Sequence, residues 1–319
     1  MPIQRQPGAI LLAGPTASGK SALAIAIAEE FDGVIINADS MQVYSGLRVL
    51  TARPSPEEEA RAPHRLYGVL DPADFCNAAR WRDLALKEIE VAREAGKLPI
   101  IVGGTGLYFN ILTKGIAEIP QISDAVRGSL RDIQKREGNA VIHKMLAEKD
   151  PEMAEKLNQG DSQRLLRALE VVEETGVTLG EWHKRALSGP ILQGPRLWLA
   201  LEPDRDWLYD RCDRRLEWMV EEGGALDEVE ALIARNLDPS LPAMKALGVP
   251  EFAEVLKGAL EREAALVRVK MLTRRYAKRQ MTWVRNKMCE ANRSFAQDLE
   301  SLRDEYFPNI RRFLLTLGK

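Results

Sequence analysis

Short apolar runs alternate with longer segments of helical periodicity in the first third of the chain. Residues 9–13, 34–37 and 98–102 form four- or five-residue runs that are almost wholly apolar, as expected for buried strands. Segments 22–30 and 81–95 place apolar residues near helical spacing. Strands that alternate with helices predict an α/β fold with a parallel, doubly wound sheet.

The connections between these strands are less regular. Residues 51–63 are rich in Pro, Ser, Arg and Glu, which predicts an irregular linker. Residues 66–70 are consistent with a short strand. After the strand at 98–102, a glycine turn at 103–106 precedes a helix that starts at residue 107.

The pattern changes between about residues 122 and 190, where helical periodicity over 124–136, 140–148 and 162–175 predicts an all-helical insertion. A strand is predicted again at 196–201. The remaining chain has helical periodicity over four segments: about 204–222, 224–235, 250–257 and 262–291. We therefore predict a core domain of residues 1–121 and 191–319, and an insertion domain of residues 122–190.

The composition is that of a globular protein, with 45% apolar and 29% charged residues among 319 and a net charge of −2. No apolar run reaches the length of a membrane span, and the N-terminus reaches the first predicted strand within about ten residues, which leaves no room for a signal peptide. Three scattered cysteines and three scattered histidines give no disulfide framework and no zinc spacing. A cytoplasmic location without membrane contact is expected.

The first glycine-rich segment has the spacing of a phosphate-binding loop, between a predicted strand and a predicted helix. Its two glycines let several N–H groups point at one anion, and the helix N-terminus adds its positive dipole end. The lysine is a point charge for phosphate oxygens, and the last serine offers its hydroxyl to Mg²⁺. The candidate phosphate-binding residues are Gly14, Pro15, Thr16, Ala17, Ser18, Gly19, Lys20 and Ser21.

Two further polar residues follow predicted strands. Asp39 comes just after the second strand, and carboxyl ends of parallel strands face the ligand crevice, so it is a candidate base beside the phosphate loop. An N-cap or Asx-turn is the alternative for Asp39. Thr105 lies among glycines after the next strand, where a ligand can approach the backbone closely. A glycine-rich left-handed (αL) turn with a purely structural role explains Thr105 equally well.

Basic residues are concentrated in three helical segments. Residues 268–287 contain eight basic residues and no acidic one, which suggests contact with a nucleic-acid backbone in a chain of net charge −2. Arg164 and Arg167 share a helix face, where a solvated basic face is the better interpretation than a phosphate clamp. Arg211 and Arg215 also lie four apart, and their spacing alone predicts ion pairs with neighbouring acids.

Five motifs together closely resemble the bacterial tRNA dimethylallyltransferases. They are GPTASGKS at 14–21, NADSMQVY at 37–44, GGTGLY at 103–108, QRLLRALE at 163–170 and AKRQMTW at 277–283. The resemblance implies a nucleotide-kinase-like P-loop core with a helical insertion. It also implies transfer of the dimethylallyl group of dimethylallyl diphosphate to the exocyclic amine of the adenosine immediately 3′ of the anticodon, with release of diphosphate.

The same resemblance assigns roles to individual residues. Asp39 would be the base, Thr105 would hydrogen-bond the bridging oxygen of the leaving group, and Lys20 would act with Mg²⁺ on Ser21. Arg215 would lie near the diphosphate. The implied tRNA-binding residues are Asp39, Ser40, Met41, Gln42, Thr105, Arg127, Gln163, Arg164, Leu165, Leu166, Arg167, Lys278, Arg279, Gln280 and Arg285. A monomer that binds the tRNA anticodon arm is expected.

The chain departs from the family pattern in two places. Residues 245–250 (KALGVP) replace the usual Arg-Ala-x-Gly-Tyr and lack its Arg and Tyr, and residues 64–68 (HRLYG) replace His-His-Leu-Ile-Asp. Neither change touches the implied chemistry. From the cysteine count, the C-terminal zinc finger of eukaryotic relatives is not expected in this sequence.

Three other functions fit part of the pattern. A small-molecule kinase would explain the phosphate loop but not the acid-free basic helix. An isopentenyltransferase acting on free AMP or ATP would not need that helix either. A nucleotide-dependent RNA-binding switch would bind ATP and form no product.

Overall fold

A computed structural model describes residues 8–117, 119–184, 189 and 191–317. The N-terminal residues 1–7, which precede the first predicted strand, lie outside the described residues. The chain divides into two compact units, one comprising residues up to Thr113 and from Leu192 onward, and the other comprising Lys114–Ile191. No helix in the described ranges is long and apolar enough to cross a membrane.

The larger unit contains one six-stranded sheet in which every neighbouring pair is parallel. The strand order is β3-β2-β4-β1-β5-β6. The strands are β1 (Ala9–Ala13), β2 (Gly33–Asn37), β3 (His64–Arg65), β4 (Leu98–Gly103), β5 (Arg196–Leu201) and β6 (Asn292–Ser294). The predicted α/β class with a parallel sheet is confirmed.

The helices lie in the connections between these strands, in the smaller unit and, for the last helix, after β6. In chain order they are α1 (Lys20–Phe31), α2 (Pro56–Arg61), α3 (Ala78–Glu94), α4 (Gly106–Lys114), α5 (Asp124–Glu137), α6 (Asn139–Lys149), α7 (Pro151–Lys156), α8 (Ser162–Thr175), α9 (Leu179–Lys184), α10 (Arg205–Glu221), α11 (Ala225–Ala234), α12 (Val249–Leu256), α13 (Arg262–Lys287) and α14 (Leu299–Thr316). A short 3₁₀ turn spans Ala243–Lys245.

Both faces of the sheet are covered, because successive strand residues point to opposite sides. Leu11 belongs to a core that includes α3 and α4, while Ile10 and Leu12 belong to a core that includes α1 and α14. On the first face Trp81 and Tyr108 stack with their ring centroids 4.0 Å apart. Burial on both faces explains why the strands appear in the sequence as continuous apolar runs.

The smaller unit has its own apolar core and contains α5 to α9. Leu130, Ile142, Leu146, Leu165 and Leu169 meet in that core, and all five are almost completely buried. The helical interpretation of residues 124–175 holds, and α8 has the predicted bounds. The two short helices α7 and α9 were not predicted, because a segment of six residues is too short to show a helical pattern of apolar positions.

Several elements of the larger unit differ from the prediction. The predicted linker at 51–63 contains α2, whose start is fixed by a capping box between Ser55 and Glu58. The third strand is His64–Arg65 and not 66–70, although Leu70 forms an isolated bridge with Tyr44. No element was predicted after residue 291, where β6 and α14 lie. Pro308 inside α14 hides its periodicity, and β6 has only three residues.

Candidate active site

The phosphate loop lies between the end of β1 and the start of α1. Ala17 and Gly19 have left-handed backbone, with φ values of 63° and 90°. Gly14 packs so closely that a Cβ there would lie 2.9 Å from Ser18 Oγ and 3.1 Å from Leu201 Cβ. The loop therefore needs its glycines, one for backbone conformation and one for close packing.

Three side chains from α10 and α13 hold this loop. Arg215 Nη2 donates to Thr16 Oγ1 at 2.6 Å, and Arg211 Nε donates to the carbonyl of Ala17 at 3.0 Å. From α13, Gln280 Oε1 accepts from the Thr16 N–H at 2.8 Å. The spacing-based prediction that Arg211 and Arg215 pair with neighbouring acids is wrong, because both point from α10 to the loop.

Lys20 begins α1, and its Nζ donates to the carbonyl of Pro15 at 3.1 Å. Burial lowers the pKa of Lys20 to about 8, with the nearby Asp39 carboxylate opposing the change and the Arg215 guanidinium adding to it. Burial likewise lowers the pKa of Arg215. Two cations with impaired hydration thus face one loop, which favours a polyanion there.

Asp39 follows β2 at the same edge of the sheet and is half-buried. Its Oδ1 accepts from the N–H of Met41 at 2.9 Å, and its own N–H donates to Asn37 Oδ1 at 2.8 Å. Asp39 therefore does form the Asx-turn that was the structural alternative for this residue. It does not exclude a second role, because Asp39 also lines the cavity described below and interacts electrostatically with Lys20.

Thr105 follows β4 and connects to the segment after β2. Its Oγ1 accepts from the N–H of Ser40 at 3.1 Å, and its N–H donates to the carbonyl of Ala38 at 3.3 Å. The hydroxyl of Tyr276 lies beside the side chains of Thr105 and Gln280, and burial raises the pKa of that phenol.

Close packing explains the glycines around Thr105. A Cβ on Gly103 would collide with the carbonyl of Ala38, and one on Gly106 would collide with the Trp283 indole. None of the turn glycines 103, 104 and 106 has a left-handed φ. The left-handed glycine turn that was the structural alternative is therefore wrong. Close packing requires these glycines, and Thr105 lies at the edge of the site.

A cavity of about 400 Å³ adjoins these residues. Part of the cavity wall is polar and is formed by Thr16, Asp39 and Arg215. Much of the remaining wall is apolar and comes from distant segments, including Met41, Leu50, Leu216, Met219, Leu247 and Leu272. Lys245 and Pro250, in the segment that departs from the family pattern, also line it. Sequence reasoning missed this cavity because its residues are ordinary apolar positions of separate elements.

The predicted Mg²⁺ site has no acidic cluster. Within the described ranges, no group of three or more His, Cys, Asp or Glu side chains could hold a metal ion. Ser21 lies in the first turn of α1, where its hydroxyl is half-buried. Mg²⁺ often keeps several waters and binds through few protein ligands together with substrate phosphates, so Ser21 suits an ion brought in with a diphosphate.

The basic helix α13 uses part of its charge internally. Lys270 pairs with Glu217, and Arg274 pairs with Asp213 at 3.2 Å, so both face α10. Lys278 is exposed and has no acidic partner within 4 Å among the described residues. Lys270 and Arg274 therefore take part in the contact with α10, while Lys278 lies on the exposed side of α13.

The other tRNA-binding candidates on α13 differ in how exposed their side chains are. Arg279 is exposed and lies over the Tyr276 ring at 5.7 Å. Arg285 is half-exposed but forms an ion pair at 3.1 Å with Glu202, whose side chain is buried. Gln280 is 4% exposed and contacts the phosphate loop, so its side chain does not present a surface to tRNA.

Gln42 and Met41 contact other parts of the larger unit. Both hydrogen bonds of Gln42 Nε2 go to loop carbonyls, those of Thr51 at 2.9 Å and Ala52 at 2.8 Å. Met41 lines the cavity, and the Ser40 N–H is bonded to Thr105. The turn after β2 is thus held from several sides, which fixes the position of Asp39.

The candidates in the smaller unit lie on α5 and α8. Arg127 lies 3.9 Å from Asp124, Arg164 lies 3.3 Å from Asp161, and Arg167 lies 4.0 Å from Glu170. Gln163 is exposed. Leu165 is fully buried and Leu166 partly buried in the core of this unit, so they support α8 and do not form its surface.

The parallel sheet, the phosphate loop after β1 and the polar residues after β2 and β4 define an α/β protein of the P-loop class. Its ligand crevice lies at the carboxyl ends of the strands. A model of the IPP transferase family matches residues 42–287. The chain belongs to this family, which confirms the resemblance drawn from the motifs and the prediction that it is a prenyltransferase enzyme.

Individual relatives agree with this assignment. The tRNA dimethylallyltransferase of Rhodospirillum centenum is 51% identical over 284 residues, covering 89% of this chain and 90% of the relative. A tRNA isopentenylpyrophosphate transferase structure from Bacillus halodurans has a TM-score of 0.70 and 32% identity, covering 98% of each chain. A eukaryotic dimethylallyltransferase acting on tRNA has a TM-score of 0.77 and 28% identity, covering 95% of this chain and 77% of the other.

Proposed function

We propose that this protein transfers the dimethylallyl group of dimethylallyl diphosphate to the exocyclic amine of the adenosine 3′-adjacent to the anticodon of tRNA, releasing diphosphate. One observation carries the proposal. The phosphate loop, Asp39 and Thr105 meet at one edge of the sheet, beside a cavity of about 400 Å³ with a largely apolar wall. That combination suits a substrate with a diphosphate at one end and a five-carbon chain at the other.

The diphosphate would bind at the loop N–H groups, with Lys20 and Arg215 as its cationic partners. Burial lowers the pKa of both side chains, because their charged forms are poorly hydrated. A bound anion would stabilise these charged forms. As the allylic C–O bond breaks, negative charge grows on the leaving group, and fixed donors at that place stabilise the transition state most. Mg²⁺, held by Ser21 and the diphosphate, would add Lewis-acid charge when bound.

Asp39 would accept the proton of the adenine amine as the new C–N bond forms. The amine is a weak nucleophile because its lone pair is delocalised, so loss of the proton has to accompany attack. Thr105 Oγ1 would donate to the bridging oxygen of the leaving group while it accepts from Ser40. The adenine has to leave its stack to reach this edge of the sheet.

Each unit offers its own surface to tRNA. On the larger unit, Lys278 and Arg279 are exposed cations on α13. On the smaller unit, which we propose to be the insertion domain of residues 122–190, the candidates are Arg127, Gln163, Arg164 and Arg167. We also propose that the protein acts as a monomer in the cytoplasm, where its tRNA substrate is available.

Transfer to free AMP or ATP is the alternative within the same chemistry. Family membership and the exposed cations of α13 favour tRNA, since a free nucleotide needs no such surface. The test is a filter assay with labelled dimethylallyl diphosphate, Mg²⁺ and unmodified tRNA, with AMP and ATP in parallel. Label on tRNA alone is expected; label on AMP or ATP would reject the proposal, as would ATP hydrolysis without any labelled product.

A further inference from the structure

Gln280 lies between exposed basic residues of α13, but its side chain points to the phosphate loop. Its side chain and backbone together are only 4% exposed. Its Oε1 accepts from the N–H of Thr16 at 2.8 Å, across 264 residues of sequence. Because a backbone N–H can only donate, the oxygen of the Gln280 amide has to face Thr16, and this fixes the orientation of the whole amide group.

The other end of this amide is not fully satisfied. Gln280 Nε2 is buried and has no acceptor at regular hydrogen-bond geometry among the described residues, although the Tyr276 hydroxyl lies beside the amide. It lies directly over Gly104, because a Cβ on that glycine would overlap Nε2, and the carbonyl oxygen of Gly14 is 3.2 Å from the same point. Nε2 therefore lies where the end of β4 approaches the phosphate loop.

A buried amide donor without an acceptor is costly, and such groups are rarely left unpaired. The side chain is held in place from its oxygen end, so it cannot turn to solvent without losing the bond to Thr16. A ligand that brings oxygen acceptors to the loop would remove the deficit. A diphosphate in the phosphate loop is such a ligand, because the same amide already contacts the Thr16 N–H of that loop through its oxygen.

We propose that Gln280 binds the departing diphosphate, with Oε1 positioning Thr16 of the phosphate loop and Nε2 donating to a diphosphate oxygen. The inference rests on the proposed function for its substrate, and it replaces the tRNA contact that the sequence motif implied for this residue. It also gives α13 two roles, since Lys278 and Arg279 on its exposed side directly precede Gln280 in the sequence.

The test measures the binding of inorganic diphosphate and of tRNA separately, by calorimetry, for the full chain. Gln280→Glu keeps an oxygen for the Thr16 N–H but replaces the donor by an anionic acceptor. We expect a folded protein with a lower Tm, because a carboxylate is costly at this buried position, and a diphosphate Kd weaker by about 10- to 100-fold. Gln280→Leu removes both interactions, and we expect a lower Tm and a diphosphate Kd weaker by about 10-fold. In both variants the tRNA Kd should change by less than about twofold.

Asn286→Asp is the matched control, because it introduces the same charge at an exposed position of the same helix. It should leave the diphosphate Kd unchanged. If Gln280→Leu does not fold, Gln280→Glu alone decides. An unchanged diphosphate Kd in a folded glutamate variant would overturn the proposal, and so would a loss of tRNA affinity with normal diphosphate binding. A wild type that binds diphosphate but prenylates no tRNA would reject the proposed function and leave this inference to be decided by the diphosphate data.

Discussion

Replacing Asp39 by Asn separates its proposed role as a base from its structural role. Asn keeps an oxygen that can accept from the Met41 N–H, which Asp39 Oδ1 accepts at 2.9 Å, so the turn after β2 should persist. It removes the group that accepts the adenine proton. General-base catalysis typically contributes about 10²–10⁴ in rate, so we expect kcat to fall by about that factor. The tRNA Kd should stay within about twofold, because the hydrogen-bonding geometry of the turn is kept.

The same exchange changes the charge beside Lys20. The pKa of Lys20 is lowered to about 8 by burial, and the Asp39 carboxylate opposes that change. Only the charged form attracts diphosphate strongly, so kcat/KM for dimethylallyl diphosphate should fall as the pH rises through about 8 in the wild type. Without the carboxylate the pKa of Lys20 falls further, and this alkaline limb should move to lower pH.

Both effects are measured by single-turnover and steady-state assays with labelled dimethylallyl diphosphate over a range of pH. Asp304→Asn, which neutralises an exposed carboxylate on α14, is the control and should change neither kcat nor the pH profile. Turnover equal to that of the wild type would remove Asp39 as the base. A large fall in kcat with an unmoved alkaline limb would show that Asp39 acts as base without setting the charge of Lys20.

Three further exchanges test other parts of the structure. Exchanging Lys278 and Arg279 for Ala should weaken tRNA binding and reduce the slope of log Kd against log salt by about 0.7–0.9 per lost phosphate contact; an unchanged slope would mean that these cations face something else. Glu202→Gln removes the buried partner of both Arg285 and Arg293 and should lower the free energy of unfolding in urea by about 1–3 kcal/mol, less than loss of a fully buried ion pair would, because both arginines are partly exposed. Leu247→Trp narrows the cavity and should raise KM for dimethylallyl diphosphate by about 10-fold while inorganic diphosphate binds normally. Equal loss for both ligands would place the prenyl chain elsewhere.

Much of the core was predictable because its signals are local. The apolar runs of β1 and β4 are buried on both faces of the sheet, so they stand out as continuous stretches in the sequence. The start of α2 was missed although its capping box is also local, because the surrounding Pro and Ser suggested a linker. The short strand β6 carries almost no pattern and forms only by pairing with β5.

The candidate site also contains residues that the sequence predicted and residues that it did not. Gly14, Lys20 and Ser21 were found because a phosphate loop needs fixed residue types within eight consecutive positions. Asp39 and Thr105 were found from their places at strand ends. The cavity was not, since its apolar lining is indistinguishable in sequence from ordinary core positions.

By itself the sequence determined the order of the longer strands and helices up to residue 291, the phosphate loop and the polar residues after β2 and β4, because backbone conformation and burial depend on neighbouring residue types. Only the tertiary structure decided what distant side chains do. Arg215 meets Thr16 across 199 residues and Gln280 meets it across 264. No local pattern encodes such contacts. They arise because the packing of α10 and α13 brings side chains of these helices against the phosphate loop. In the sequence, the same side chains are interpreted as partners of neighbouring acids or of RNA.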